Sequence, residues 1–159
     1  MKSQSQQSIG EELAAFLSAR RESIIAEWVA TVDRDPNIPS SAHLSLHQLR
    51  DHLPRLFDNL SRTLRDAFSK EIRAELACSA AKHGEHRWKE GYDLIELLRE
   101  FAHLRSAFIF HLIAFEESHP DFGGAARVFA LVTFHRFLDD AVRSSVEQFR
   151  EEQNPEERK

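Results

Sequence analysis

The chain has 159 residues, 42% hydrophobic and 30% charged, with five Gly, five Pro, twelve Phe, one Cys and a net charge of −5. That length holds one domain with a real core, and so much apolar residue excludes a disordered chain. A lone Cys78 excludes a disulfide scaffold and a zinc site of several cysteines, while the acidic balance removes any broad electrostatic case for nucleic acid.

Met1 to Ser8 is polar and Gln/Ser-rich, without the apolar run of a signal peptide, and is expected to be disordered. The first helix is expected over about 9–33, with Leu13, Phe16, Leu17, Ile24, Trp28 and Val32 at helical spacing. Pro36 and Pro39 stop it. A second helix spans roughly 45–68 on the stripe Leu46, Leu49, Leu53, Leu56, Leu60 and Leu64, and Pro54 inside that pattern predicts a kink rather than two helices. The third covers about 71–89. Its Ala77, Ala80, Ala81 and Gly84 leave room for close approach by a neighbour, and Gly91 offers the break after it.

The fourth helix, about 92–118, is apolar on more than one face, the pattern of a central helix. No stretch reaches the roughly 18 uninterrupted apolar residues of a membrane span; its most apolar part, Ala107 to Phe115, contains His111. The fifth helix runs from about 122 to 153 and fades into a charged tail. The expected architecture is all-α: an antiparallel bundle of about five helices with a long C-terminal helix. Residues 9–150 form the domain, 1–8 a disordered lead and 151–159 a tail or linker. The single thiol and the absence of a signal peptide suit the cytoplasm.

Spacing decides among the possible sites. His43 and His47 are four apart, but His43 precedes the helix start and no further ligand follows in a finger pattern, so no metal site is assigned. Glu100–His103 and Glu116–His119 both match the Glu-x-x-His of di-iron bundles, yet both fall on one helix and cannot face each other. His111 and His135 sit among Phe residues and are the candidate haem ligands; the plainer reading is a core histidine satisfied by a carbonyl or an acid, such as Asp139 for His135. Cys78, on an Ala-rich face, reads as packing rather than as a nucleophile.

The most distinctive cluster is His83-Gly84-Glu85-His86-Arg87 followed by Gly91-Tyr92. His83 and Arg87 are four apart and share a helix face. Arg105 falls in the seam of Leu98, Phe101, Phe108 and Leu112, where a buried cation needs a partner; Glu100 is the nearby acid, though it points off that seam and can pair across helices. His83, Arg87, Glu100 and Arg105 are therefore either polar pegs fixing helix register or the lining of a site for an anion or small ligand. Catalytic signatures, whether a nucleophile elbow or a phosphate loop, are absent, so no enzyme is expected.

Three stretches together resemble a known family. These are Arg21-x-x-Ile24-Ile25-x-x-Trp28, Leu49-x-x-His52-Leu53-Pro54-x-Leu56-Phe57, and His83-Gly84-x-x-Arg87-x-x-x-Gly91-Tyr92 with Leu97-Leu98-x-Glu100-Phe101-x-x-Leu104-Arg105. In order and spacing they resemble the RsbRD N-terminal domain, named for a co-antagonist of the RsbT kinase and found at the front of bacterial sensor histidine kinases. The resemblance implies a helical, non-catalytic input domain preceding a histidine-kinase core or an anti-sigma-antagonist module. It supplies no ligand for the polar cluster. The sequence departs from that arrangement in carrying no phosphoacceptor box or ATP-binding motif, so it is expected to be either the front of a larger signalling chain or a partner acting alone. Apolar surplus on the fifth helix, with Ile25 and Val29 on the first, suggests a homodimer. The alternative is a haem- or small-ligand-binding helical sensor acting alone.

Overall fold

The structure, a computed structural model, describes residues 4–158. Among these there is no strand; seven α-helices and two short 3-10 turns, Pro39–His43 and Pro155–Arg158, make an all-α bundle. The helices are α1 (Gln4–Ala19), α2 (Arg21–Arg34), α3 (Leu46–Arg50), α4 (Leu53–Arg65), α5 (Lys70–Lys89), α6 (Leu94–Ser118) and α7 (Ala125–Gln153).

Several boundaries depart from the periodic reading. The polar lead is helical from Gln4, so the stretch expected to be disordered contributes a first turn, and Met1–Ser3 lie outside the described residues. The first expected helix is two, turning at Arg20 without Pro or Gly. The turn redistributes the packing: α1 lies chiefly against α4 and α2 chiefly against α6. At Pro54 the expected kink is a full break. Proline has no N–H and crowds the carbonyl four residues back, so α3 stops at Arg50 and α4 begins afresh with Pro54 in its first turn. Leu46, placed on the buried stripe by periodicity, is consequently exposed. At the other end α7 runs through Gln153, where the periodic reading ended it, so the tail expected from 151 shares its first three residues with the helix.

Side-chain caps fix the remaining starts. Ser45 and Gln48 form a capping box on α3, Asp93 and Glu96 another on α6, and Ser69 Oγ accepts the Ile72 N–H on α5. Gly91, at φ 86°, makes the α5–α6 turn in a conformation that favours glycine. The Glu96 carboxylate also accepts from the Ser40 N–H at 2.9 Å and from its hydroxyl at 2.9 Å, tying the Pro39–His43 turn to α6.

One core runs through all the layers, from Leu13 and Leu17 through Ile24, Trp28 and Leu64 to Phe108, Phe134 and Leu138. The Phe108 and Phe134 rings stack at 3.5 Å between centres, joining α6 to α7. Helix α6 is central on one side only, since Ile95, Phe110 and Ile113 are exposed. Ile25 and Val29, expected on an edge left for a second chain, are buried within this one. Helices α5 and α7 pack closely over their length. A Cβ on Gly84 would lie 2.1 Å from the Ser145 carbonyl oxygen, and Ser145 Oγ donates to the Ala80 carbonyl at 2.6 Å. Of the small residues expected at that contact, Ala80 and Gly84 are buried there, whereas Ala77 faces out.

Candidate functional site

The polar cluster gathers where α5, α6 and the α3–α4 break meet. Glu100 is 1% exposed and Arg87 1%, so two formal charges lie inside the protein. Arg87 Nε donates to both carboxylate oxygens of Glu100, at 2.9 and 3.1 Å. Tyr92 OH donates to Oε1 at 2.7 Å, and His83 Nε2 stands 3.1 Å from Oε2. Both oxygens are thereby saturated, as a buried carboxylate requires. Arg87 also donates through Nη1 to Glu90 at 2.8 Å and to the Gln48 carbonyl at 3.1 Å, and through Nη2 to the Leu49 carbonyl at 2.9 Å. It thus caps the last turn of α3, whose helical partners end where Pro54 forces the break. Trp28 Nε1 donates to the Glu100 carbonyl at 3.0 Å and adds α2 to the same centre.

The electrostatics follow from this packing. Burial alone would raise the Glu100 carboxyl, but the Arg87 charge and the His83 bond outweigh it and hold it ionised below its usual range. Burial lowers His83, and the Arg87 cation adds to that, so the ring is neutral and donates its Nε2–H to Glu100. Tyr92 is raised, by burial and then by the Glu100 charge, and stays a hydroxyl donor. Burial also lowers His52 to about 4, against the opposing pull of Asp51 and helped by His83, His86 and Arg87.

A cavity of about 20 Å³ adjoins the cluster between Trp28, His52, His83, Glu100 and Phe101. That is space on the scale of one water molecule. It does not hold a metabolite-sized ligand.

Of the residues singled out by sequence, His83, Arg87 and Glu100 meet, and Glu100 pairs across helices as its angle on α6 suggested. Arg105 does not join them. It is half-buried on the far side of α6, donating to His135 Nδ1 at 2.8 Å with Asp139 at 3.7 Å. The acid expected to serve His135 therefore faces Arg105 instead. His111 is held by Glu27 at 3.2 Å, the satisfied-histidine arrangement. With His135 Nδ1 engaged by Arg105 and His111 Nε2 by Glu27, the two candidate haem ligands are tied to different helices. The two Glu-x-x-His motifs diverge as well. Glu100 turns inward, His103 bonds Asp35 at 2.7 Å, and His119 stacks on Phe115. Cys78, read as packing, is exposed.

Sequence reasoning placed Tyr92 in the cluster without giving it a role and left Glu90 and Trp28 out. Only Tyr92 carried a usable signal, a lone tyrosine just after a glycine beside the His83–Arg87 face. The carbonyls of Gln48 and Leu49 carried none, because their need arises from the break at Pro54.

A family model described as the RsbT co-antagonist protein rsbRD N-terminal domain matches residues 22–156. The chain belongs to that family, and with it to a class of signal-transduction domains. The match takes in α3 through α7 and so the whole buried cluster. Comparison with curated proteins and with solved structures returned no significant match.

Proposed function

Starting from membership in the RsbRD N-terminal family, we propose that the chain is a non-catalytic input and dimerisation domain whose output leaves through the end of α7. The module it controls is a histidine-kinase core or an anti-sigma-antagonist domain. The observation that carries this reading is the build of α7. Its 29 residues make a rod about 43 Å long at 1.5 Å per residue. Its middle is locked to α5 at Gly84–Ser145 with no clearance. A contact this tight leaves little room to deform continuously, so a change around α5 is passed on as a shift of the rod. The charged groups of the buried cluster are consumed by one another, which suits a register-fixing core better than a reacting centre.

The second copy docks on the N-terminal half of α7. Val128 and Val132 are exposed there, beside an open groove of about 890 Å³ that reaches α5 and the end of α4. Its rim carries both signs, with Lys70, Arg73, Arg136 and Arg143 against Asp139 and Asp140. A two-fold contact sets such a mixed rim against itself in complementary register. Sedimentation equilibrium tests the dimer: the chain sediments as a dimer, and Val128→Asp with Val132→Asp returns it to monomer at unchanged helicity. A clean monomer of the unaltered chain at high micromolar concentration overturns it. Joining residue 153 in phase to a histidine-kinase core tests the input role. Gly84→Ala then changes autophosphorylation, and an unchanged rate counts against transmission through α7.

A further inference from the structure

Outside the Glu100 network, three donor atoms converge at the α3–α4 break. Asp51 ends α3, His52 is the residue before α4, and His86 reaches them from the last turn of α5. His86 Nδ1 lies 2.8 Å from Asp51 Oδ2, His52 Nε2 lies 3.2 Å from the same oxygen, and the two nitrogens are 3.1 Å apart. Protons can bond only part of this triangle, since Asp51 Oδ2 can accept from both rings while the two nitrogens then face each other at 3.1 Å unbonded. If both imidazoles donate to the carboxylate, two N–H groups stand side by side; if one donates to the other, a lone pair faces the carboxylate. At most two edges of the three are hydrogen bonds in any tautomer. A cation in contact with all three atoms satisfies every edge at once.

We infer that Asp51, His52 and His86 form a binding site for one divalent transition-metal ion of the zinc class. The dimensions agree. An ion about 2.1 Å from each vertex stands roughly 1.1 Å above their plane and sees them at about 84–99°, a facial set with open positions on its other side. The ring centres of His52 and His86 are 4.6 Å apart at 64°, wider than their nitrogens, so the rings splay outward from a common point. Two imidazoles and a carboxylate suit zinc and its neighbours better than magnesium or calcium, which prefer all-oxygen shells. Access is open on one side, with the His86 side chain 40% exposed, Asp51 32% and His52 16%. The backbone of the break is set in advance, because Arg87 holds the carbonyls of Gln48 and Leu49 just before it. Ligands 34 residues apart leave no spacing motif, which is why sequence reading assigned no metal here.

The ion would fasten the α3–α4 junction to α5. Its use as a signal rests on the input-domain reading above, whereas its binding does not. The test is titration of the metal-free chain with zinc by calorimetry and with cobalt by visible absorption. One ion binds per chain, cobalt gives ligand-field bands, and His86→Ala, on a half-exposed surface where folding is little affected, weakens binding at least a hundredfold. Asp51→Asn weakens it as well, and a His43→Ala, His47→Ala variant binds as the unaltered chain does. No stoichiometric binding overturns the site, as does equal affinity in His86→Ala and Asp51→Asn with both variants helical by circular dichroism. Loss of binding in the His43, His47 variant alone also overturns it. If zinc binds as described but leaves the kinase output of the chimaera unchanged, the site stands and its signalling use fails.

Discussion

Replacing Arg87 by methionine tests whether the buried network is held together by charge. The substitution keeps an unbranched chain of similar length on α5 but withdraws every donor that Arg87 supplies to Glu100, Glu90, Gln48 and Leu49. Glu100, 1% exposed, then keeps only its bonds to Tyr92 and His83. Removing one member of a buried ion pair costs about 3–5 kcal/mol, and a carbonyl left dry, here that of Leu49, adds roughly 1–3 kcal/mol. Against the 5–15 kcal/mol or so that holds a domain folded, this is a large share. Urea unfolding followed by circular dichroism at pH 7.5 reads it directly. Adding Glu100→Gln removes the stranded charge and keeps an oxygen to accept from Tyr92, while the amide N–H meets His83, whose other tautomer accepts it. The double variant is therefore more stable than the sum of the single losses by about 2 kcal/mol or more. Acidification narrows the Arg87→Met deficit, because protonating Glu100 discharges the buried site. A loss under about 1 kcal/mol, or strict additivity of the two changes, refutes the reasoning.

Gly84→Ala sets a methyl against the Ser145 carbonyl and lowers stability by about 1–3 kcal/mol or more, as overpacking does, measurable in the same urea assay. Its effect exceeds that of Gly123→Ala, where a Cβ meets open space. In metal-free buffer the unaltered chain loses stability as pH falls below about 6.5. His83, facing His52 just before α4, Arg87 of α5 and Glu100 of α6, is neutral in the fold, so the unfolded chain takes up the proton first. The slope is up to ~1.4 kcal/mol per pH unit for each withheld proton, and Glu100, with its lowered pKa, adds a further loss below its ordinary value of 4.5. Thermal midpoints from pH 8 to 4 check this, and a midpoint that rises on acidification contradicts it. Cys78 is exposed and reacts with a thiol reagent in the native state nearly as fast as in urea; strong protection would return it to the packing role that its Ala-rich setting suggested.

Much of this arrangement was written in local pattern. Helical periodicity placed α5, α6 and α7 within a few residues, and the His83–Arg87 spacing marked the face that carries the buried pair. What periodicity could not decide was where a helix turns to satisfy two neighbours, as at Arg20, or how far a proline opens a stripe, as at Pro54. The second case hid the most. The break at Pro54 produces the free carbonyls that Arg87 caps and the corner at Asp51–His52 that meets His86. Cross-helix pairing of Glu100 could be anticipated from its angle on α6; its burial, and its saturation by Arg87 thirteen residues before it and Tyr92 eight residues before it, depended on the tertiary fold. Arg105 illustrates the reverse error, since a seam position on α6 turned outward once α7 supplied His135 and Asp139.

The claim that α7 transmits a signal within a dimer is tested most directly by spin-label distances at its end. With Cys78→Ala and a label on Arg150→Cys, the account predicts one defined distance between chains that shifts when Gly84 becomes alanine. No dipolar coupling between chains, or a distance unmoved by Gly84→Ala, would contradict it.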